Sequence, residues 1–251
     1  MKLGKADLHV HSNYSPDAFS SVRDVLEKAK NAQLDVVAIT DHHTIEGAKE
    51  AEKLAADFGL EVVVGEEILT QEGEVIGLFL KETIPPDLPI LEAIQRIKRQ
   101  GGLVFAPHPL SFWQDGVGEK LLGQLAQQID GAEVLSAGWT GRKNFAKMQR
   151  LNEEIFKLAA IGGSDAHFAD LVGKAYTLFK GKTASELYSS IQNKTTAVEG
   201  NFWSKRDFFS YGAHWLKNNF RKGGPLIIFD ILWTVRKAKK AFRRFSDQTK
   251  I

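Results

Sequence analysis

Short apolar runs alternate with helical patterns along the first 200 residues of this 251-residue chain. The runs are rich in Val, Ile, Leu and Phe, and they lie at residues 6–10, 35–40, 61–64, 74–80, 103–106, 132–135 and 159–163. Segments with the apolar spacing of a helix separate several of them, at residues 20–32, 45–58, 89–100, 116–128 and 142–156. Strands that alternate with helices favour parallel pairing, so we predict an α/β barrel or a doubly wound sheet.

Ionisable side chains gather at the ends of these predicted strands. His9 and His11 lie one residue apart on the first run, and side chains two positions apart on a strand share a face. Further groups follow other runs at Asp41, His42 and His43, at Glu66 and Glu67, at His108, and at Asp165 and His167. Active sites of parallel α/β proteins gather at the carboxyl ends of the strands. Six of the seven histidines are therefore expected at one mouth of the fold, which predicts a metal site there.

The chain contains no cysteine, which excludes disulfides and thiolate ligands. A metal at this mouth would be held by imidazole nitrogen and carboxylate oxygen alone.

Five motifs, in this order, resemble the PHP (polymerase and histidinol phosphatase) superfamily. They are DLHVHS (7–12), AITDHHTIEGA (38–48), VGEEI (64–68), APHP (106–109) and GGSDAH (162–167). The resemblance covers about the first 180 residues. It implies an α/β fold, a distorted (β/α)7 TIM-like barrel, with two or three divalent metal ions and hydrolysis of a phosphoester.

The resemblance also implies roles for individual residues. Glu67 resembles the carboxylate that bridges two metals, and Arg142 resembles a basic residue that holds the substrate phosphate, so these two are the catalytic candidates. The implied ligands are His9, His11 and Asp165 for a first metal, His108 for a second, and His42, His167 and Asp17 for a third.

The chain departs from the family pattern at three places. Glu74 occupies the position of a histidine in many relatives, and as a ligand it would favour Mn²⁺ or Fe²⁺ over Zn²⁺. The second departure is His43, which we expect in loop packing or behind the ligands. The third is the segment SAGWT at residues 136–140, where relatives carry an asparagine.

Four other polar residues are candidates for supporting roles. Asp7 and Asp41 either fix the tautomers of neighbouring histidines or cap the ends of their strands. Glu133 and Ser136, at the end of the sixth run, are candidates for facing the substrate.

The function expected from these features is hydrolysis of a phosphomonoester, on a nucleotide or another small phosphorylated metabolite, by a hydroxide that bridges the metals. One alternative is a 5'-3' exonuclease of the same fold. A second alternative is a non-catalytic metal-binding or membrane-associated regulatory module, although a scaffold has no need of so many costly polar groups at one face. Because the amino terminus lacks an apolar signal segment, the expected location is cytoplasmic.

The last part of the chain differs in charge from the rest. Residues 205–251 carry twelve Lys or Arg against three Asp, although the whole chain has a net charge of only +2. We therefore predict a barrel at residues 1–200 and a basic, aromatic, amphipathic helical extension at 201–251. The extension has three candidate roles: contact with an anionic membrane surface, packing on the barrel or a second subunit, and binding of nucleic acid. Its apolar segment, residues 226–235, is too short to span a bilayer.

Overall fold

A computed structural model of the chain describes residues 3–111, 113–138, 140–207 and 209–213. Strands within these residues are β1 (Leu3–Val10), β2 (Val36–Ile39), β3 (Glu61–Leu69), β4 (Glu74–Leu78), β5 (Leu103–Ala106), β6 (Gly131–Ser136), β7 (Ala159–Gly163), β8 (Ala175–Lys180) and β9 (Ala197–Gly200). The α-helices there are α1 (Val22–Asn31), α2 (Glu46–Phe58), α3 (Ile90–Arg99), α4 (Glu119–Leu125), α5 (Gly141–Leu151) and α6 (Ala184–Gln192). A π-helical turn at Asn152–Phe156 extends α5, and a 3₁₀ turn lies at Ala169–Leu171.

The strands of the described residues form one mixed sheet in the order β7-β6-β5-β4-β3-β2-β1-β8-β9. The set β1, β2 and β3 is parallel, and so is the set β5, β6 and β7. The segment after β7 returns to β1, where the backbone N–H of Asp165 donates to the carbonyl of His9 at 2.9 Å and Val10 bridges Ala166. The sheet therefore curls into a nearly closed, distorted α/β barrel, which confirms the predicted fold class with nine strands rather than seven.

Strand β4 runs antiparallel to both of its neighbours, contrary to the parallel pairing expected from alternation. Only residues 70–73 connect it to β3, and the N–H of Thr70 donates to the carbonyl of Gly73 at 2.9 Å within that turn. A parallel connection needs a crossover of a dozen residues or more, so a four-residue link leaves only a hairpin. As a consequence, Glu74 at the amino end of β4 lies at the same edge as the carboxyl end of β3.

The helices cover the outside of the sheet through apolar stripes. In α3 the buried residues are Ile90, Ala93, Ile94 and Ile97, which is the i, i+3, i+4, i+7 spacing of one helix face. Helix α1 begins at a capping box, in which the side chains of Ser21 and Asp24 each accept a backbone N–H from the other residue. This covering leaves the carboxyl-end mouth of the parallel strands to the loops.

Three elements that follow β7 have no counterpart in the sequence predictions, namely β8, α6 and β9. Strand β8 pairs antiparallel with β1 on one side and with β9 on the other. Residues 201–207 then run along the barrel, where the N–H of Trp203 donates to the carbonyl of Ala137 at 2.9 Å and Lys174 pairs with Asp207 at 2.9 Å.

Most of the predicted extension falls at residues 214–251, including His214 and the apolar segment 226–235, and lies outside the described residues. The boundary at residue 200 and the three roles stay predictions. Among the helices of the described ranges, none has the length and apolar content needed to cross a membrane.

Candidate metal centre

The barrel brings all nine predicted metal ligands to one mouth. Strands β1, β3 and β4 carry His9, Glu67 and Glu74, and the loops that follow β1, β2, β5 and β7 supply the others. Within the described chain, three groups have ligand atoms close enough to share an ion: His9 with His11 and Glu67, Glu67 with Glu74 and His108, and His11 with His42 and His167.

The first group is a triangle of atoms that point at one another. Nε2 of His9 lies 3.1 Å from Nε2 of His11, and each nitrogen lies 3.2 Å from Oε2 of Glu67. Ligands at about 2.0–2.2 Å from one cation are separated by roughly 3.0–3.5 Å from each other. The three atoms of this group therefore have the spacing of ligands that share one metal ion. Oδ1 of Asp165 lies 3.5 Å from the His9 nitrogen and 3.7 Å from the His11 nitrogen, as the resemblance implied for a first metal.

The second group uses the other oxygen of the same glutamate. Oε1 of Glu67 lies 3.1 Å from Nε2 of His108, and Oε2 of Glu74 lies 3.8 Å from that nitrogen. Glu67 thus presents one oxygen to each of two ligand groups. Its neighbour Glu66 points to the other face of β3, where it accepts the N–H of Ile84 at 2.8 Å.

Asp17 lies beside His42 and His167 of the third group. Its Oδ2 lies 3.4 Å from Nε2 of His42 and 3.3 Å from Nε2 of His167. Its Oδ1 is buried and has no hydrogen-bond partner among the described residues. A cation among these atoms would satisfy the spare oxygen, so the donor set fits a further metal ion.

In three histidines the Nδ1 atom, on the side of the ring away from the other ligands, lies close to an acceptor oxygen. Nδ1 of His9 lies 3.3 Å from Oε1 of Glu133, Nδ1 of His11 lies 3.1 Å from Oγ of Ser15, and Nδ1 of His167 lies 3.1 Å from the carbonyl of Asp165. An acceptor at Nδ1 keeps the proton there and leaves the Nε2 lone pair free for a metal.

Glu133 lies behind the histidines rather than facing a substrate. Besides its contact with His9, it accepts the backbone N–H of His108 at 2.6 Å through Oε2. It is 1 % exposed, so both of its oxygens are committed to the ligand framework.

Asp7 and Asp41 were expected either to fix histidine tautomers or to cap strands. Both accept hydrogen bonds from backbone N–H groups. Asp7 accepts the N–H groups of Ser164 at 2.9 Å and of Gly173 at 2.8 Å, which ties β1 to the segment after β7. Asp41 accepts both the N–H and the hydroxyl of Ser12. Asp41 also accepts a hydrogen bond from Ser15, so it reaches His11 through that serine.

Backbone strain marks several of these positions. His43, His108 and Asp165 have φ values of 59°, 28° and 52°, in the left-handed region that side-chain-bearing residues rarely adopt. Such strain concentrates at functional sites, where the surrounding contacts enforce it. At His43 the N–H donates to the carbonyl of Glu67 at 3.1 Å, which agrees with the predicted role in loop packing.

Gly163 in the last motif is required by close approach. A Cβ at this position would lie 2.5 Å from Cβ of His9 and 2.6 Å from Oε1 of Glu133. A larger residue there would displace the first ligand pair or its support.

Charge in the cluster is unbalanced without cations. Burial and the negative charge of Glu67 raise the pKa of Glu74 to about 8. Burial lowers the pKa values of His42 and His167, but Asp17 more than offsets it, so they are raised to about 10 and about 9. Burial and the neighbouring His167 lower the pKa of His11 to about 3. In the absence of metal, protons therefore occupy places that suit cations.

Two polar residues near the mouth, Arg142 and Gln114, lie outside the three ligand groups. Arg142, the candidate phosphate ligand, is exposed at the start of α5, and its guanidinium lies 5.1 Å from the ring centroid of Phe202. Gln114 donates from its amide to Oδ2 of Asp165 and accepts from the hydroxyl of Thr140. Gln114 was not predicted, because it lies in a loop without a recognisable motif.

Comparison with known proteins agrees with this geometry. A model of the PHP domain family matches residues 7–199. An uncharacterized protein of Methanocaldococcus jannaschii is 47 % identical over 143 residues, which are 53 % of this chain and 82 % of that protein. A 5'-3' exoribonuclease of Haemophilus influenzae is 30 % identical over 148 residues, 57 % of this chain and 49 % of that enzyme.

A solved structure shows the same fold. It is a two-domain protein from Bacteroides vulgatus that contains a predicted PHP-like metal-dependent phosphoesterase. The TM-score is 0.68 at 20 % identity, and the match covers 80 % of this chain and 65 % of that protein.

Proposed function

This chain belongs to the PHP domain family, and from that premise we propose that it is a metal-dependent phosphoesterase that hydrolyses a phosphomonoester of a nucleotide or another small metabolite. The observation that carries the proposal is the position of Glu67. Its two oxygens lie 3.2 Å and 3.1 Å from histidine nitrogens of two different ligand groups.

The residues fit divalent ions with nitrogen and oxygen ligands, and we propose two or three such ions, either Mn²⁺, Zn²⁺ or Fe²⁺. When bound, such ions lower the pKa of a water, neutralise the phosphate and stabilise the leaving oxygen. The proposed ligands are His9, His11 and Asp165, then His108 and Glu74, then His42, His167 and Asp17, with Glu67 shared between the first two sets.

The protein residues contribute position and charge. Neutral imidazoles bind cations without adding negative charge, so a histidine-rich cluster retains positive charge for a phosphate. Glu133 and Ser15 hold His9 and His11 with their Nε2 atoms toward Glu67.

Arg142 is proposed to hold the phosphate oxygens of the substrate. The planar fork of a guanidinium matches two phosphate oxygens at once, a fixed geometry that an ammonium group lacks. The ring of Phe202 supports the guanidinium on one side and leaves its edge for such contacts.

A second candidate function is cleavage of oligonucleotide ends. It is favoured by the similarity to a 5'-3' exoribonuclease, with the limit that the match covers about half of each protein. The two candidates differ in the bond that is cut, since a nuclease cuts a diester and a phosphatase a terminal monoester.

The test is a substrate panel with metal-stripped protein to which Mn²⁺, Zn²⁺ or Fe²⁺ is added back. Aryl phosphate monoesters and diesters, mononucleotides, nucleoside bisphosphates and short 5'-phosphorylated RNAs are compared by kcat/KM. Preference for monoesters supports the proposal, and preference for RNA or diesters would replace it with the nuclease.

Adjacent glutamates provide matched variants. We expect Glu67→Gln to lose at least about 100-fold in kcat/KM, because one bridging carboxylate serves two groups. Glu66→Gln, one residue away on the other face of β3, is expected to keep the activity within about twofold. If the wild type bound metal but hydrolysed no member of the panel, the protein would be a metal-binding module instead.

A further inference from the structure

A small cavity lies beside His108, between β6 and the start of α5. Its polar lining includes the side chains of Glu133, Ser136, Thr140 and Asn144. The cavity leaves about 10 Å³ for the centre of a water molecule, and one water needs about 10–15 Å³ by this measure. The space suits a single water and is far too small for a phosphate group.

Two buried polar atoms of the cavity lining have no hydrogen-bond partner within the described part of the chain. They are Nδ1 of His108 and Oγ of Ser136, on residues that are 7 % and 5 % exposed. Buried polar groups are almost always satisfied by protein or by ordered water, so ordered water is expected in this cavity.

His108 differs in this respect from its neighbours. In His9, His11 and His167, Nδ1 lies 3.1–3.3 Å from a protein oxygen. To bind a metal through Nε2, the atom that faces Glu67, a neutral His108 must carry its proton on Nδ1. That proton requires an acceptor, which the cavity can supply only as water.

We propose that one water molecule occupies this cavity, accepts the Nδ1 proton of His108 and donates to Oγ of Ser136. Ser136 is then a positioning residue, which helps to keep the proton of a metal-binding His108 on Nδ1 and the Nε2 lone pair free for the metal. The proposal rests on the proposed role of His108 as a metal ligand.

The test compares Ser136→Ala with Ser190→Ala, in which a serine of equal 5 % exposure is changed on α6. NMR of the Zn²⁺-loaded proteins reports the Nδ1–H proton of His108 and its exchange with solvent, and calorimetry of the metal-stripped proteins reports Mn²⁺ affinity. We expect Ser136→Ala to shift the Nδ1–H signal and speed its exchange, and to weaken Mn²⁺ binding about 10-fold, the lower end of the range for lost outer partners of metal ligands. Ser190→Ala should leave both quantities unchanged.

A crystal structure of the metal-free wild type tests the water directly and does not depend on any variant. Electron density for one water within hydrogen-bond distance of both Nδ1 and Oγ supports the proposal. An empty cavity, or a Ser136→Ala protein that matches Ser190→Ala in the Nδ1–H signal and in affinity, would overturn it. Failure of the wild type to bind Mn²⁺ would instead refute the proposed function, while the electron density would still decide the question of the water.

Discussion

Replacement of Glu133 by Gln tests whether the buried carboxylate behind the histidines sets their metal affinity. Gln has almost the same shape, but it offers one acceptor oxygen where Glu offers two. In the native protein one oxygen accepts the N–H of His108 at 2.6 Å and the other faces Nδ1 of His9 at 3.3 Å. The backbone N–H can only donate, so the single oxygen of Gln is expected to stay with His108.

The amide NH₂ of Gln would then face Nδ1 of His9. Two donors cannot pair, so Nδ1 of His9 would become an acceptor and its proton would move to Nε2. That nitrogen lies 3.1 Å from Nε2 of His11 and 3.2 Å from Oε2 of Glu67, in the position for binding a cation. The wrong tautomer therefore blocks the first ligand pair.

We expect Glu133→Gln to weaken Mn²⁺ binding by about 10- to 100-fold, equivalent to about 1.4–2.7 kcal/mol. Calorimetric titration of metal-stripped protein measures this change. Glu199→Gln is the matched control, because Glu199 also accepts a hydrogen bond, from Tyr176 at 2.9 Å, but lies exposed on β9. If Glu133→Gln bound Mn²⁺ within twofold of the wild type, the tautomer argument would be wrong.

Three further outcomes are expected. Gly163→Ala should weaken Mn²⁺ binding at least about 10-fold, because its methyl group would displace His9. Calorimetry measures this affinity, and a folded variant that binds Mn²⁺ as tightly as the wild type would contradict the expectation. In the metal-free protein, the pKa values of about 10 for His42 and about 9 for His167 keep both protonated at pH 7.5. Mn²⁺ must displace these protons, so its affinity should rise between pH 6 and pH 9, and a flat profile would count against the third ligand group. Burial raises the pKa of Glu66 to about 8 from 4.5, so this carboxyl increasingly destabilises the folded state as pH rises from 4.5 to 8. Glu66→Gln should therefore raise the free energy of unfolding by about 5 kcal/mol at pH 9 and hardly at all at pH 4, as measured by urea denaturation; equal gains at both values would refute it.

Local patterns in the sequence were sufficient for much of the barrel. The runs predicted at residues 103–106 and 159–163 coincide with β5 and β7, because short β-branched and apolar stretches between breakers have few alternatives. The orientation of β4 was not predicted. Periodicity identifies a strand but carries no direction, and the length of the connecting turn decided it.

The candidate metal ligands could be predicted from the sequence for a similar reason. Histidines and carboxylates at successive strand ends are brought to one mouth by any parallel α/β fold, so their order along the chain is informative. The residues that form hydrogen bonds to these ligands were harder to predict from the sequence. Glu133 lies 124 positions from His9 in the chain, and Gln114 lies 51 positions from Asp165, so no local spacing connects either pair.

By itself, the sequence determined which chemistry is possible here, since a chain with no cysteine and six histidines near strand ends can present only nitrogen and oxygen donors to a metal. The tertiary structure decided the direction of β4, which places Glu74 beside the ligand groups, since periodicity alone carries no strand direction. It also decided which polar groups stand behind the ligands. Proton position on an imidazole depends on contacts a few ångströms long, and only the closed barrel brings those atoms within that distance.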